Sequence, residues 1–103
     1  MNKVIKEKLP ELLQLCQRYK IESLYLFGSA NTDLFDTQSD IDLLVTFGNV
    51  DLYDYFDNYM ELKAALENIF NRKVDLVEEK TIKNPILRRS IERNKTLVYG
   101  RAS

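Results

Sequence analysis

No histidine occurs anywhere in this chain, and tryptophan is missing as well. Without imidazole, the usual general base at neutral pH and the commonest ligand of transition metals are both gone. Acid–base or metal chemistry would have to rest on carboxylates, whose oxygens suit hard ions such as Mg²⁺ rather than Zn²⁺. The one cysteine, Cys16, has no second thiol to pair with, which fits a reducing compartment and a buried, inert side chain. No apolar run approaches the length that crosses a bilayer. The charged opening, residues 1–8, lacks the apolar segment of a secretory leader. The expectation is a cytoplasmic protein with no membrane partner. An excess of positive charge is absent too: 15 Lys+Arg stand against 16 Asp+Glu, for a net charge of −1. Nucleic-acid binders draw most of their affinity from neutralising phosphates, so this balance argues against dedicated nucleic-acid binding and leaves room only for a local basic patch.

Glycine and proline are scarce, and their few positions act as punctuation. The prolines, Pro10 and Pro85, suit the first turn of a helix. The glycines, Gly28, Gly48 and Gly100, each close a segment that reads as a strand. The chain is 103 residues long and 45% hydrophobic, enough for one core and no second, so a single domain over 1–103 is expected. Leu9, Leu12, Leu13, Cys16 and Tyr19 recur at helical spacing, with residues 2–8 a separate turn or kinked extension. Residues 22–27 read as a strand, 29–39 as a polar loop, and 40–47 as a mostly buried strand. Asp51 is a plausible N-cap for an amphipathic helix running to Phe70. Residues 73–78 form a third strand. Asn84 and Pro85 open a short helix that Asn94 stops, and Thr96–Tyr99 is a last strand. The order α-β-β-α-β-α-β implies an α/β (α+β) fold with a small mixed β-sheet flanked by helices. The short first link suits antiparallel neighbours, and the helical crossovers suit parallel pairs.

Three groups of residues invite a chemical reading. Side chains alternate along a strand, so Asp40 and Asp42 should share a face with Cα atoms about 6.5–7 Å apart. Carboxylates so placed reach one ion, or bridge two; without a cation they repel. The ordinary reading of a bare Asp-x-Asp is a solvated strand start. Asp75 interrupts the apolar run Val74–Val77, although aspartate is depleted in strands; the bland explanation is an edge strand with a wet face. Gly28 and Ser29 end the first strand, where glycine permits close backbone approach and a hydroxyl and amides could cradle phosphate. Alone, that pair is an ordinary turn.

Together they are far more specific. Gly28-Ser29, ten intervening residues and Asp40-x-Asp42 resemble the signature of the polymerase β nucleotidyltransferase superfamily. The flanking Leu24–Ser29, Ser39–Val45 and Val74–Val77 resemble it as well, as do the Asn84-Pro85 helix and the closing Val98-Tyr99-Gly100. The chain is most similar to the minimal nucleotidyltransferase (MNT) proteins, the antitoxin half of HEPN–MNT toxin–antitoxin pairs. The resemblance implies transfer of AMP from ATP to a tyrosine hydroxyl of a small all-helical HEPN ribonuclease encoded nearby. It implies two Mg²⁺ ions as cofactors. Asp40 and Asp42 would ligate both, Asp75 would complete the second site and help deprotonate the hydroxyl, and Gly28 and Ser29 would hold the β- and γ-phosphates. The carboxylates of Asp40, Asp42 and Asp75 should then converge within one metal site's reach.

One departure stands out. Many relatives carry basic residues just after Gly-Ser, whereas no lysine or arginine occurs from Ala30 to Asp42, and Asp33 and Asp36 add negative charge. Lys73 or the basic 88–95 stretch are the available substitutes. The ordinary reading of Arg88, Arg89, Arg93 and Lys95 is a solvated helix face with cations near its C-terminus. Two alternatives to a protein-modifying enzyme follow: a catalytically weak binding module that neutralises its partner by occlusion, or a small-molecule or RNA nucleotidyltransferase. Tyr55 and Tyr59 share a helix face that reads as core or partner surface rather than a base-stacking platform.

Overall fold

The computed structural model describes residues 3–28 and 40–100. Along these the elements are α1 (Lys3–Glu7), α2 (Leu9–Arg18), β1 (Ile21–Phe27), β2 (Ile41–Phe47), α3 (Leu52–Phe70), β3 (Val74–Glu78), a 3₁₀ turn (Glu79–Thr81), α4 (Pro85–Asn94) and β4 (Thr96–Tyr99). The order is the expected one, and the opening segment is a separate helical turn before α2. Two helix starts carry the caps the sequence announces. Asp51 accepts from the Tyr53 amide at 3.1 Å. Asn84 accepts from Ile86 and Leu87 at 2.9 and 3.3 Å. Each relieves amides that have no partner inside their own helix. The expected loop, residues 29–39, lies outside the described residues.

The strands form one mixed sheet in the order β3-β2-β1-β4. β1 pairs antiparallel with β2 and with β4, and β2 pairs parallel with β3 through the α3 crossover. Parallel pairing was expected of both crossovers; the second behaves otherwise. After α4 the chain passes over two strands and lays β4 antiparallel against β1, so β3 is left at one edge.

Alternation divides the sheet into two unequal faces. On one, Leu24, Leu26, Leu43 and Val45 meet Leu12 and Cys16 of α2 and Leu62 and Leu66 of α3. On the other, Tyr25 and Leu44 meet Ile82 and Ile91, the buried residue of α4, with Phe27 and Val77 against them. The first face carries most of the apolar burial. The second is covered only in part, and its open end holds the aspartates.

β3 could be a liability, because an edge strand presents unpaired backbone groups. Two side chains of α3 cover them here. The Val74 amide donates to Glu67 Oε2 at 3.1 Å, and the Tyr59 hydroxyl donates to the Leu76 carbonyl. Asn58 Nδ2 ties the same helix to the Tyr19 carbonyl at 2.9 Å. Farther toward its start, α3 turns large apolar groups outward: Leu52, Tyr53 and Phe56 are exposed.

Candidate functional site

Asp42 and Asp75 are direct partners in the β2–β3 register. Paired residues of neighbouring strands project to the same side, so the two carboxylates stand side by side on the α4 face of the sheet. Across the other neighbour, Asp42 pairs with Phe27, which brings the end of β1 alongside. Gly28 follows with φ of +69°, and a Cβ there would overlap Asp42 Oδ2 and sit 3.1 Å from its Cγ. Both observations demand glycine: the left-handed backbone disfavours any side chain, and the aspartate occupies the space one would need. Ser29 lies outside the described residues.

Asp40 sits one residue before β2 rather than inside it, so the expected strand at 40–47 begins at Ile41. Asp40 is exposed, Asp42 half-buried and Asp75 exposed. The bland explanation of Asp75 is half right, since β3 is an edge strand with a wet face. Yet that face adjoins a second carboxylate, an arrangement a purely structural edge gains nothing from.

The charges feel one another. Burial raises the Asp42 carboxyl above its ordinary range, and Asp75 and then Asp40 push it further the same way. Burial also raises the Tyr59 hydroxyl, with Asp75 adding to the effect. Asp42 and Asp75 are register partners, and Asp40 lies near enough to act on the Asp42 carboxyl. Among the described residues, no three acidic, histidine or cysteine side chains form a group ready to hold an ion. The donor set still fits a hard dication, with hard oxygen ligands on adjacent strands and a half-buried carboxylate whose charge is disfavoured without a counter-ion.

Next to Gly28 opens a surface cavity of about 320 Å³, walled by Phe27, Leu87 and Ile91 with Ser90 and Asn94 at its polar side. Ser90 and Asn94 were not candidates in the sequence, and no motif marks them; only the path of α4 across the sheet brings them there. Tyr59 is a second omission. Its helical spacing showed a shared face with Tyr55, but nothing in sequence sets its hydroxyl on the edge of β3. Tyr59 packs against the core, and Tyr55 packs edge-on against Phe47 at 5.6 Å, both within the expected reading of core or partner surface. Cys16 is buried, and desolvation pushes its thiol up to about 12, which leaves it inert at neutral pH. No described helix is long and apolar enough to cross a membrane.

Comparison with known proteins agrees with this fold. The family described as polymerase beta, nucleotidyltransferase matches residues 10–103. A Methanocaldococcus jannaschii protein, provisionally named a protein adenylyltransferase, is 41% identical over 85 residues, which span 82% of each chain. A solved structure, provisionally named a minimal nucleotidyltransferase, superposes with a TM-score of 0.75 at 29% identity, covering 91% of this chain and 92% of its own. A chain from the complex of a tri-AMPylated Shewanella oneidensis HEPN toxin with its MNT antitoxin shares the fold. There the TM-score is 0.59 at 21% identity, covering 93% of this chain and 72% of that one.

Proposed function

Because the chain belongs to the polymerase β nucleotidyltransferase family, we propose that it moves AMP from ATP to a protein hydroxyl, a tyrosine of a small helical HEPN-type partner. The observation that carries the reading is the in-register pairing of Asp42 with Asp75, with Gly28 closed against Asp42. Support for a protein acceptor comes from the archaeal relative's name and from the AMPylated toxin in the Shewanella complex.

In this reading Asp40, Asp42 and Asp75 hold Mg²⁺, which when bound offsets phosphate charge and steadies the attacking and leaving oxygens. Gly28, free of a side chain, lets the triphosphate approach the backbone at the end of β1, and Ser29 adds a hydroxyl donor. Asp75, exposed at the sheet edge, is open to an incoming protein side chain and accepts the proton of its hydroxyl at a carboxylate oxygen. The new bond joins the oxygen of the acceptor hydroxyl to the α-phosphorus of ATP, and the bond from that phosphorus to the departing pyrophosphate breaks.

The test uses the full chain, ATP labelled at the α-phosphate, Mg²⁺ and the small helical protein encoded beside it. Label should appear on a partner tyrosine. Asp75→Asn should cut transfer by roughly 10²–10⁴-fold, the usual worth of a general base, while the complex still forms. The absence of cations from Ala30 to Asp42 favours a second reading, a binding module that neutralises its partner by occlusion. An Asp75→Asn chain that neutralises the partner as well as the parent would establish that second reading and remove the first.

A further inference from the structure

A triphosphate carries several negative charges toward a site that already holds three aspartates, and the segment where relatives supply a cation has none. The structure narrows where compensation can come from. Lys73 stands at the start of β3, and β2 separates that strand from Gly28 on β1. Arg88 is committed to the 3₁₀ turn: its guanidinium lies 3.6 Å from Glu79 Oε1 and donates to the Glu79 and Ile82 carbonyls at 3.3 and 3.1 Å. Lys95 is committed as well, 2.9 Å from Glu92 and 4.1 Å above the Tyr25 ring, with its side chain only 11% exposed.

Of the basic 88–95 stretch, Arg89 and Arg93 remain. Both are exposed, and neither forms an ion pair among the described residues. They are one helical turn apart and so project together. They line a cavity of about 270 Å³ with Ser90 and Asn94, and those two residues also line the cavity at Gly28. Ser90 and Asn94 are thus the ridge shared by the two cavities, with Gly28 on one side of it and the two arginines, each two positions from buried Ile91, on the outer side of α4, from which their long side chains would cross the ridge to meet the phosphates. The helix cannot supply the positive charge itself, because its C-terminal, electronegative end faces this region.

We infer that Arg89 and Arg93 are the polyphosphate clamp of this nucleotidyltransferase, holding the β- and γ-phosphates from α4 in place of the cation missing after Gly28-Ser29. The inference rests on the proposed nucleotide site and adds to it the residues that read the triphosphate. Arginine suits the task, since its planar fork can give two parallel hydrogen bonds to one phosphate. It also makes recognition depend on the number of phosphates rather than on the base.

Calorimetric titration of the full chain with Mg·ATP, AMP and inorganic tripolyphosphate tests it. The parent should bind Mg·ATP and tripolyphosphate more tightly than AMP. Arg89→Gln with Arg93→Gln should weaken Mg·ATP and tripolyphosphate by at least about tenfold, the scale of one charge-assisted hydrogen bond, and leave AMP within about twofold. Arg89→Lys with Arg93→Lys should recover part of the loss. Arg88→Gln removes the same charge from the same helix and should leave the preference for triphosphate intact. The inference is overturned if the double glutamine variant binds Mg·ATP like the parent, if AMP weakens equally, or if Arg88→Gln does the same damage. Failure of the parent to bind Mg·ATP at all would overturn the proposed function together with the clamp.

Discussion

Asp42 is the residue on which the site turns. It is half-buried, it pairs with Asp75, and Gly28 closes its other side. Its neutral form is favoured in the fold, because burial and then the charges of Asp75 and Asp40 raise its carboxyl above the ordinary value of 3.8. The sign of the linkage follows. The stability tied to the neutral form is fully present below the ordinary aspartate range and is lost as pH rises through the raised value. Asp42→Asn, neutral at every pH, should therefore melt above the parent at pH 7. The expected gap is roughly one to a few degrees, since repulsion among partly exposed groups is worth a fraction of a kcal/mol. Acidification should close the gap. Thermal melts of both proteins between pH 3 and pH 8, without metal, decide it; a gap that persists at pH 3 would trace to something other than charge. Gly28 and Asp42 were both legible in the sequence, since a glycine-serine pair and two alternating aspartates at a fixed spacing form a local pattern. Their mutual contact was not, because it depends on how β1 and β2 register.

At the scale of the element, α3 shows how one helix serves two purposes along its length. Its C-terminal half turns Leu62, Leu66 and Phe70 into the core. Its first turns leave Leu52, Tyr53 and Phe56 exposed among Asp51, Asp54 and Asp57. Apolar periodicity marked the helix and its N-cap correctly, yet Leu52 and Phe56 fit the same period as Leu66. Periodicity says which residues share a stripe; where the stripe runs past the end of the sheet is a matter of tertiary packing. The two halves should respond differently to truncation. Leu66→Ala opens a cavity in a side chain that is 0% exposed and should cost about 2–5 kcal/mol. Phe56→Ser should stay within roughly 0.5 kcal/mol, although the side chain removed is larger. Urea unfolding of the two variants gives both numbers. A Phe56→Ser loss near that of Leu66→Ala would mean that the first turns of α3 are covered in the native protein. The sheet order was partly hidden for a similar reason. The α3 crossover announced a parallel pair, but nothing local told whether α4 would return the chain beside β3 or carry it to the far edge.

For the whole molecule, charge of opposite sign is carried by different elements, carboxylates by β2 and β3 and guanidinium groups by α4. The aspartates stand at the starts of β2 and β3, and Arg89 and Arg93 line a cavity on the exposed side of α4. A small domain so divided should be strongly stabilised by the ligand that joins these elements. A ligand that binds only the native state at 100 times its dissociation constant adds about 2.7 kcal/mol. In a domain of about 100 residues each kcal/mol raises Tm by roughly 4–8 °C, so Mg·ATP at that level should raise Tm by roughly 10–20 °C. The rise should continue with the logarithm of ligand concentration rather than reach a plateau. Mg²⁺ alone should do less, because it meets the carboxylates without engaging α4, and ATP with chelator should do less, because its charge then faces three uncompensated aspartates. Asp42→Asn should start from a higher Tm and lose the Mg·ATP increment, separating the electrostatic strain of the empty site from its use. Melting curves of the parent and variant across a Mg·ATP series read both effects at once. A parent whose Tm ignores Mg·ATP would remove the nucleotide from the native state's ligands, and a variant that keeps the full increment would remove Asp42 from the site.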